Sequence, residues 1–77
     1  MREFKIRLHS VQEVQEFVDL ATTKPFNIRV CDYGHQVNGK SFIGMFSLDY
    51  RRPVRVRVKC TEEEFGRFRR QAAQFLV

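Results

Sequence analysis

The sequence predicts one α+β domain in which three helices cover one face of a four-stranded antiparallel sheet. Three observations lead to this fold class. Some short segments alternate apolar and charged residues, as half-buried strands do, and others space apolar residues three and four apart, as helices do. The predicted strands and helices together lie within a chain of only 77 residues. A chain of this length has room for a single hydrophobic core, so we expect one domain over residues 1–77.

The first two predicted elements are a strand and a helix. Residues 3–8 alternate strictly between apolar and charged side chains, which predicts a strand with one buried face. Ser10 and Glu13 have the spacing of a capping box, and apolar residues then recur at helical spacing as far as Ala21. We therefore predict a helix over Val11–Thr22.

The next part of the chain predicts a hairpin. Pro25 ends the helix, because the residue before a proline is displaced from helical backbone angles, and the alternation over residues 26–31 predicts a second strand. Residues 32–34 have turn composition, residues 35–37 are a short third strand, and residues 38–39 form a second turn.

The second half of the chain predicts two helices and the last strand. Ser41 is a favourable N-cap for a short helix over residues 42–48. Val54–Val58 alternates valine with arginine and is the clearest strand of the sequence. Thr61 opens a capping box with the glutamates that follow it, and the apolar stripe over residues 65–76 predicts the third helix.

The composition limits the kinds of partner and site. The formal net charge of +5 favours an anionic partner, such as nucleic acid, a phosphorylated molecule or an acidic protein surface. The apolar runs are far shorter than the roughly 20 residues that cross a bilayer, so we expect a soluble, cytoplasmic protein without membrane contact. Cys31 and Cys60 are too few and too isolated for a disulfide framework or a zinc site, so we expect reduced thiols and no metal site. Their opposite strand phases also argue against a disulfide between them.

Residues 37–48 carry a resemblance to a known family. They read Val-Asn-Gly-Lys-Ser-Phe-Ile-Gly-Met-Phe-Ser-Leu. This segment resembles the regulatory-serine segment of HPr, the phosphocarrier of the bacterial sugar phosphotransferase system, which typically reads like Val-Asn-x-Lys-Ser-Ile-Met-Gly-x-x-Ser-Leu. The predicted order of elements is also that of HPr over nearly the whole chain. The resemblance implies the HPr-like open-faced β-sandwich, of order βαββαβα.

The resemblance also implies a regulatory site at Ser41, where some members are phosphorylated by a dedicated kinase. The free N–H groups and dipole at a helix start favour added negative charge, and Lys40 is the adjacent cation. The alternative is that Ser41 only caps the helix, which contributes about 1 kcal/mol.

His9 is the candidate phosphoacceptor. Phosphate-carrying members read Gly-Leu/Ile-His-x-Arg-Pro-Ala after the first strand, whereas residues 8–13 here read Leu-His-Ser-Val-Gln-Glu. His9 falls near the phosphoacceptor position, but Val11 or Gln12 replaces the arginine, and Glu13 would repel a phosphoryl group. We therefore expect no normal phosphohistidine transfer, and the alternative for His9 is a solvated histidine at a strand end.

The short second helix predicts a docking patch. It has more apolar residues than one buried face can use, and the corresponding HPr surface is apolar and ringed by basic groups. We expect Phe42 or Met45 to be accessible to solvent. The predicted patch for an acidic protein partner, such as phosphotransferase-system enzymes or a regulator, consists of Phe42, Met45 and Phe46.

The strand alternation predicts a basic face on the open side of the sheet. Its six cations are Lys5, Arg7, Arg29, Arg55, Arg57 and Lys59. The face is either an anion-binding platform or a solvated surface that discourages association through sheet edges. Phe4 and Phe26 fall on the inward phase, which argues against RNA recognition by base stacking, whereas binding to a phosphate backbone requires mainly charge.

Three functions remain open from the sequence. The favoured one is an HPr-like regulatory or protein-binding module without phosphohistidine transfer. The alternatives are a phosphocarrier that uses His9 and, less favoured, a nucleic-acid binder that uses the basic face. No catalytic constellation or cofactor motif is recognisable, so we do not expect an enzyme.

Overall fold

Four strands and three α-helices follow one another in the order that the sequence predicts. The computed structural model describes residues 1–77. The predicted α+β fold class, with its order βαββαβα, is confirmed. The elements are β1 (Arg2–Ile6), α1 (Val11–Thr22), β2 (Ile28–Cys31), β3 (Gln36–Asn38), α2 (Phe42–Phe46), β4 (Val54–Val58) and α3 (Glu62–Gln71), followed by a 3₁₀ turn (Ala73–Phe75).

The sheet has the strand order β1-β4-β2-β3, and all its pairs are antiparallel. In the centre of the sheet, Val56 lies between Phe4 on β1 and Val30 on β2. All three side chains are buried, because the helices cover this face of the sheet. The alternate residues face the opposite, open side.

Phe68 of α3 is the centre of the aromatic core. Its ring centroid lies 5.5 Å from that of Phe4, 5.9 Å from that of Phe26 and 6.3 Å from that of Phe17. Edge-to-face and tilted arrangements at these distances are the favoured geometries of aromatic pairs. Phe4 and Phe26 thus lie on the inward side, as the alternation predicts.

β1 and β2 are shorter than the alternation predicts, because each pairs with β4 only within the five residues of that strand. Ile6 pairs with Val54, and the preceding Pro53 has no N–H to extend the ladder, so β1 ends at Ile6 instead of residue 8. At the other end, Ile28 pairs with Val58, the last residue of β4, so β2 starts at Ile28 instead of residue 26. The third strand is displaced by one residue, to Gln36–Asn38.

The predicted third helix is interrupted before residue 76. It ends at Gln71, and the chain then turns so that Leu76 forms an antiparallel bridge with Ile6. The Arg7 N–H donates to the Phe75 carbonyl at 2.9 Å, and the Val77 N–H donates to the Lys5 carbonyl at 3.3 Å. Segment 75–77 therefore covers the outer edge of the sheet where β1 ends.

Gly39 holds the turn between β3 and α2 against the sheet. Its N–H donates to the Ile28 carbonyl at 2.8 Å, and a Cβ atom at this position would lie 2.6 Å from Cγ2 of Ile28 and 3.2 Å from Cγ2 of Val30. Both neighbours are buried. Only glycine permits this close approach, which fixes the position of Ser41 two residues later.

Both cysteines are free thiols. Cys31 lies on the open-face phase, as predicted, yet it is buried because the turn after β2 and the side chains beside it form a cleft around it. Burial raises the pKa of the half-buried Cys60 thiol, and the negative charge of Glu64 adds to this effect. No helix is both long enough and apolar enough to span a bilayer.

Candidate functional site

His9 lies in the connection between β1 and α1, and its polar contacts are both with Glu13. The His9 backbone N–H donates to Oε1 of Glu13 at 2.8 Å, and Nδ1 of the imidazole lies 3.2 Å from the same oxygen. Ser10 caps the helix, since its Oγ accepts from the Glu13 N–H at 3.2 Å. The imidazole is 65% exposed.

The predicted capping box at the start of α1 is only half formed. The carboxylate of Glu13 accepts from the His9 N–H instead of the Ser10 N–H, so the reciprocal bond of the box is displaced by one residue. The backbone hydrogen bond from His9 lowers the pKa of Glu13; desolvation opposes this shift, and the imidazole adds to it. The arrangement places an ionised carboxylate against the ring nitrogen.

This geometry is unfavourable for a phosphoryl group on Nδ1 of His9. The incoming group would have to displace Glu13 from Nδ1 and would then face its negative charge. The sequence predicts repulsion from Glu13, and the structure places its carboxylate in direct contact with His9. Nε2 of the imidazole has no hydrogen-bond partner in the structure.

Ser41 caps α2. Its Oγ accepts from the Gly44 N–H at 3.1 Å, and its own N–H donates to the Asn38 carbonyl at 3.0 Å. A Cβ atom on Gly44 would lie 3.3 Å from the Ser41 Oγ and 3.4 Å from Cβ of Val37. The small residue three positions after the serine thus leaves room for the capping bond, which explains the Lys-Ser-x-x-Gly spacing in this chain.

Lys40 is engaged away from the serine hydroxyl. Its Nζ donates to the Lys24 carbonyl at 2.6 Å, just beyond the end of α1. A cation is favourable there, because the last carbonyls of a helix carry partial negative charge. In this contact Lys40 ties the start of α2 to the end of α1, and its support of a phosphate on Ser41 stays a prediction.

The exposed residues of α2 differ from the predicted docking patch. Met45 is completely buried, so its inclusion was wrong, whereas Ile43 is 81% exposed and Phe46 is 46% exposed. Met45 and Leu48 are three residues apart and face the core, while Ile43 and Phe46 are three apart and face solvent. Phe42 is half-buried, and its ring centroid lies 5.7 Å from that of Phe46.

We call Phe42, Ile43 and Phe46 the apolar patch. Together with Ser47 they line a shallow depression of about 430 Å³. It begins one residue after Ser41, so a charge added to that hydroxyl would lie at its border. The tight turn at Gly39 and the capping bond of Ser41 hold this helix in place.

The basic face has the predicted phase, and it consists of Lys5, Arg7, Arg29, Arg55, Arg57 and Lys59. Lys5 lies directly opposite Arg55, and Arg29 lies directly opposite Arg57. Arg7 follows the end of β1, and its Nε donates to the Arg51 carbonyl at 2.8 Å, so it is partly committed to the loop before β4.

Comparison with known proteins finds solved structures with the same fold. No protein-family model and no curated protein matches the chain. Among solved structures, the crystal structure of HPr-C-His from Thermoanaerobacter tengcongensis superposes with a TM-score of 0.76 at 25% identity, over 96% of this chain and 92% of that one. The chain is an HPr-like protein.

A second solved structure shares the fold of this HPr-like protein. The histidine-containing phosphocarrier protein of Mycoplasma superposes with a TM-score of 0.67 at 10% identity, over 96% of this chain and 98% of that one. Both solved structures share the architecture described above, an open-faced sandwich with three helices on one side of the sheet.

Proposed function

We propose that this HPr-like protein is a regulatory module of the sugar phosphotransferase system that docks on an acidic protein partner in the cytoplasm without carrying phosphate on His9. The apolar patch is the observation that carries this proposal. It exposes Ile43 and Phe46 on one side of a short helix while Met45 of the same helix is buried in the core. Exposed apolar side chains that cluster on a small domain mark an interaction surface.

The charge of the chain supports an acidic partner. The formal net charge is +5, and complementary charge accelerates association and fixes orientation. Ser41 gives this docking surface a means of regulation. A phosphate there would place about −1.5 to −2 charges beside Phe42 and would oppose an acidic partner.

The surroundings of His9 support the absence of phosphate transfer. Its two polar contacts are both with the carboxylate of Glu13, whereas a phosphoimidazole is stabilised by a nearby cation. Phosphocarrier activity through His9 remains the second candidate function, because the imidazole is exposed and Nε2 is free of hydrogen bonds.

Two experiments test this proposal. Incubation with phosphoenolpyruvate and the first enzyme of the phosphotransferase system, followed by intact mass, is expected to show no acid-labile phosphate. A phosphorylated species that is lost in the His9→Ala variant would contradict the proposal and support the carrier function. The Glu13→Gln variant in the same assay shows whether the carboxylate is what prevents transfer.

The docking surface is tested by calorimetry against purified phosphotransferase-system enzymes and regulators. Ile43→Ser is expected to weaken binding at least about tenfold, since truncating a central apolar anchor costs 1–2 kcal/mol or more. Val77→Ser is the matched control, because Val77 is also an exposed apolar residue but lies beside β1. Equal affinities for the two variants would show that the patch is not the binding surface.

A further inference from the structure

The basic face contains like charges that oppose each other. Lys5 and Arg55 face one another on neighbouring strands, and so do Arg29 and Arg57. Directly opposed like charges destabilise a sheet. Nothing in the fold requires them, because their side chains lie on the side of the sheet away from the core.

Most of these charges have no partner within the chain. Four of the six, Lys5, Arg29, Arg55 and Lys59, form no ion pair and no side-chain hydrogen bond. The one carboxylate that reaches the cations is Glu3, whose Oε2 lies 3.6 Å from Nε of Arg57. An anion on this face would therefore relieve repulsion without breaking existing pairs.

The cations also have a regular spacing. Alternate residues of a strand lie about 6.7 Å apart and neighbouring strands about 4.8 Å apart, so the face presents positive charge at short, repeated intervals. An extended nucleic acid strand presents its phosphates at intervals similar to the first of these. Each phosphate that binds a cation releases a counterion, which favours binding.

An exposed aromatic residue lies at one end of the basic face. Tyr33 is 99% exposed, and it borders a cleft of about 720 Å³. The cleft is also lined by the cations Lys5, Arg52 and Arg55 and by the carboxylates Asp32 and Asp49. Arg52 is paired with Asp49 at 3.2 Å, so the unpaired cations of the cleft are Lys5 and Arg55. The Asp32 carboxylate accepts from the N–H of Gly34 at 3.2 Å and from that of His35 at 2.9 Å, which fixes the turn that carries the tyrosine. The ring is thus presented beside the cations on an ordered loop.

We infer that the basic face, together with Tyr33, binds single-stranded nucleic acid. The cations contact successive phosphates, and the Tyr33 ring stacks on one base. This combination of a cationic track and an aromatic platform is the usual mode of sequence-tolerant single-strand binding. A folded acidic protein fits less well, since the strands offer it no exposed apolar anchor on this face.

The test is fluorescence anisotropy with labelled oligo(dT) and oligo(U) of about 12 nucleotides, titrated with salt from about 50 mM upwards. The Lys5→Gln/Arg55→Gln variant is expected to bind at least about tenfold more weakly, with a log–log salt slope reduced by about 1.4, the value for two lost single-strand phosphate contacts. Both side chains are exposed and unpaired, so the variant is expected to fold.

The matched control is Arg69→Gln/Arg70→Gln. It removes the same charge from exposed positions of α3, on the helical side of the sheet. Its affinity is expected to stay within about twofold of the parent protein. If both double variants weaken binding equally, the loss of affinity follows from the lower net charge of the protein, and the basic face is not the binding site.

The aromatic contact has its own pair of variants. Tyr33→Ala is expected to weaken single-strand binding about tenfold, because it removes the ring on which one base stacks, while Tyr33→Phe keeps the affinity. Three results would overturn the inference. The first is no binding of the oligonucleotides at low salt. The second is tighter binding of a duplex of equal length together with an unchanged affinity of Tyr33→Ala, and the third is polyglutamate bound as tightly as the oligonucleotide.

Discussion

Replacing Gly39 by alanine introduces one methyl group at the most crowded of the four glycines. The new Cβ would lie 2.6 Å from Cγ2 of Ile28 and 3.2 Å from Cγ2 of Val30. Ile28 is 1% exposed and Val30 is 0% exposed, so neither side chain has free space to move into. The turn must move away from β2, and this strains the hydrogen bond from the Gly39 N–H to the Ile28 carbonyl.

The expected cost is about 1–3 kcal/mol in the free energy of unfolding, the usual range for one extra methyl group in a packed core. For a domain of this size the free energy of unfolding falls by about 1 kcal/mol per molar urea, so the midpoint of the unfolding transition is expected to fall by roughly 1–3 M. Gly34→Ala is the matched control. Its Cβ would meet nothing within 4 Å and its backbone has no positive φ. We therefore expect the free energy of unfolding to stay the same or to rise by up to about 1 kcal/mol.

The double variant Ile28→Ala/Gly39→Ala separates the clash from other causes. Removing the Ile28 side chain makes room for the new methyl group, so the combined cost is expected to be smaller than the sum of the two single costs. Strict additivity, or a Gly39→Ala protein as stable as the parent, would refute the reasoning from close approach.

Three further predictions concern capping, pH and the apolar patch. Thr61→Ala removes the hydroxyl that accepts from the Glu64 N–H at 3.1 Å, so a urea titration is expected to show a loss of about 1 kcal/mol. The pKa of Glu13 is lowered from its ordinary 4.5, so its stabilisation is present above that pH and is lost as the pH falls through the lower folded-state value. The free energy of unfolding, measured from pH 6 to about pH 2.5, is therefore expected to decline more steeply in the parent protein than in Glu13→Gln. Parallel curves for the two proteins would contradict this. Met45→Ser is expected to destabilise the protein by about 2–5 kcal/mol because Met45 is completely buried, whereas Ile43→Ser changes stability by less than about 0.5 kcal/mol; similar melting temperatures would contradict these assignments.

Much of the fold was predictable because β1, β2 and β4 each alternate over at least four residues and each long helix has a start signal. The ends of the strands were not, since an alternating sequence continues past the last hydrogen bond. Leu8 keeps the inward phase and is buried, yet its N–H donates to the Tyr50 carbonyl instead of a strand. Where the ladder stops is decided by Pro53 on the neighbouring strand, which lies far away in sequence.

The candidate site shows the same limit at shorter range. The sequence identifies Glu13 as a first-turn carboxylate but does not decide whether it accepts from the N–H of Ser10 or, as the structure has it, from that of His9. In α2 the helix has only five residues, too few to reveal a buried stripe, so Ile43 and Met45 were interchanged in the predicted patch.

Two long side chains could not be placed from the sequence at all. The contact of Lys40 with the Lys24 carbonyl depends on how α1 and α2 pack together. The nearly complete exposure of Tyr33 depends on the shape of the turn after β2, whose sequence predicts a turn without indicating where the ring points.

The bridge between Leu76 and Ile6 makes the two borders of the sheet unequal. One border is occupied where β1 ends, around Lys5, Ile6 and Arg7, and the other is β3, which has only three residues. Neither offers a long row of vacant peptide groups to another molecule, so growth by strand addition has no easy starting point. A label joined ahead of Met1 preserves this protection, whereas one that draws Leu76 away from Ile6 uncovers a five-residue strand and promotes aggregation.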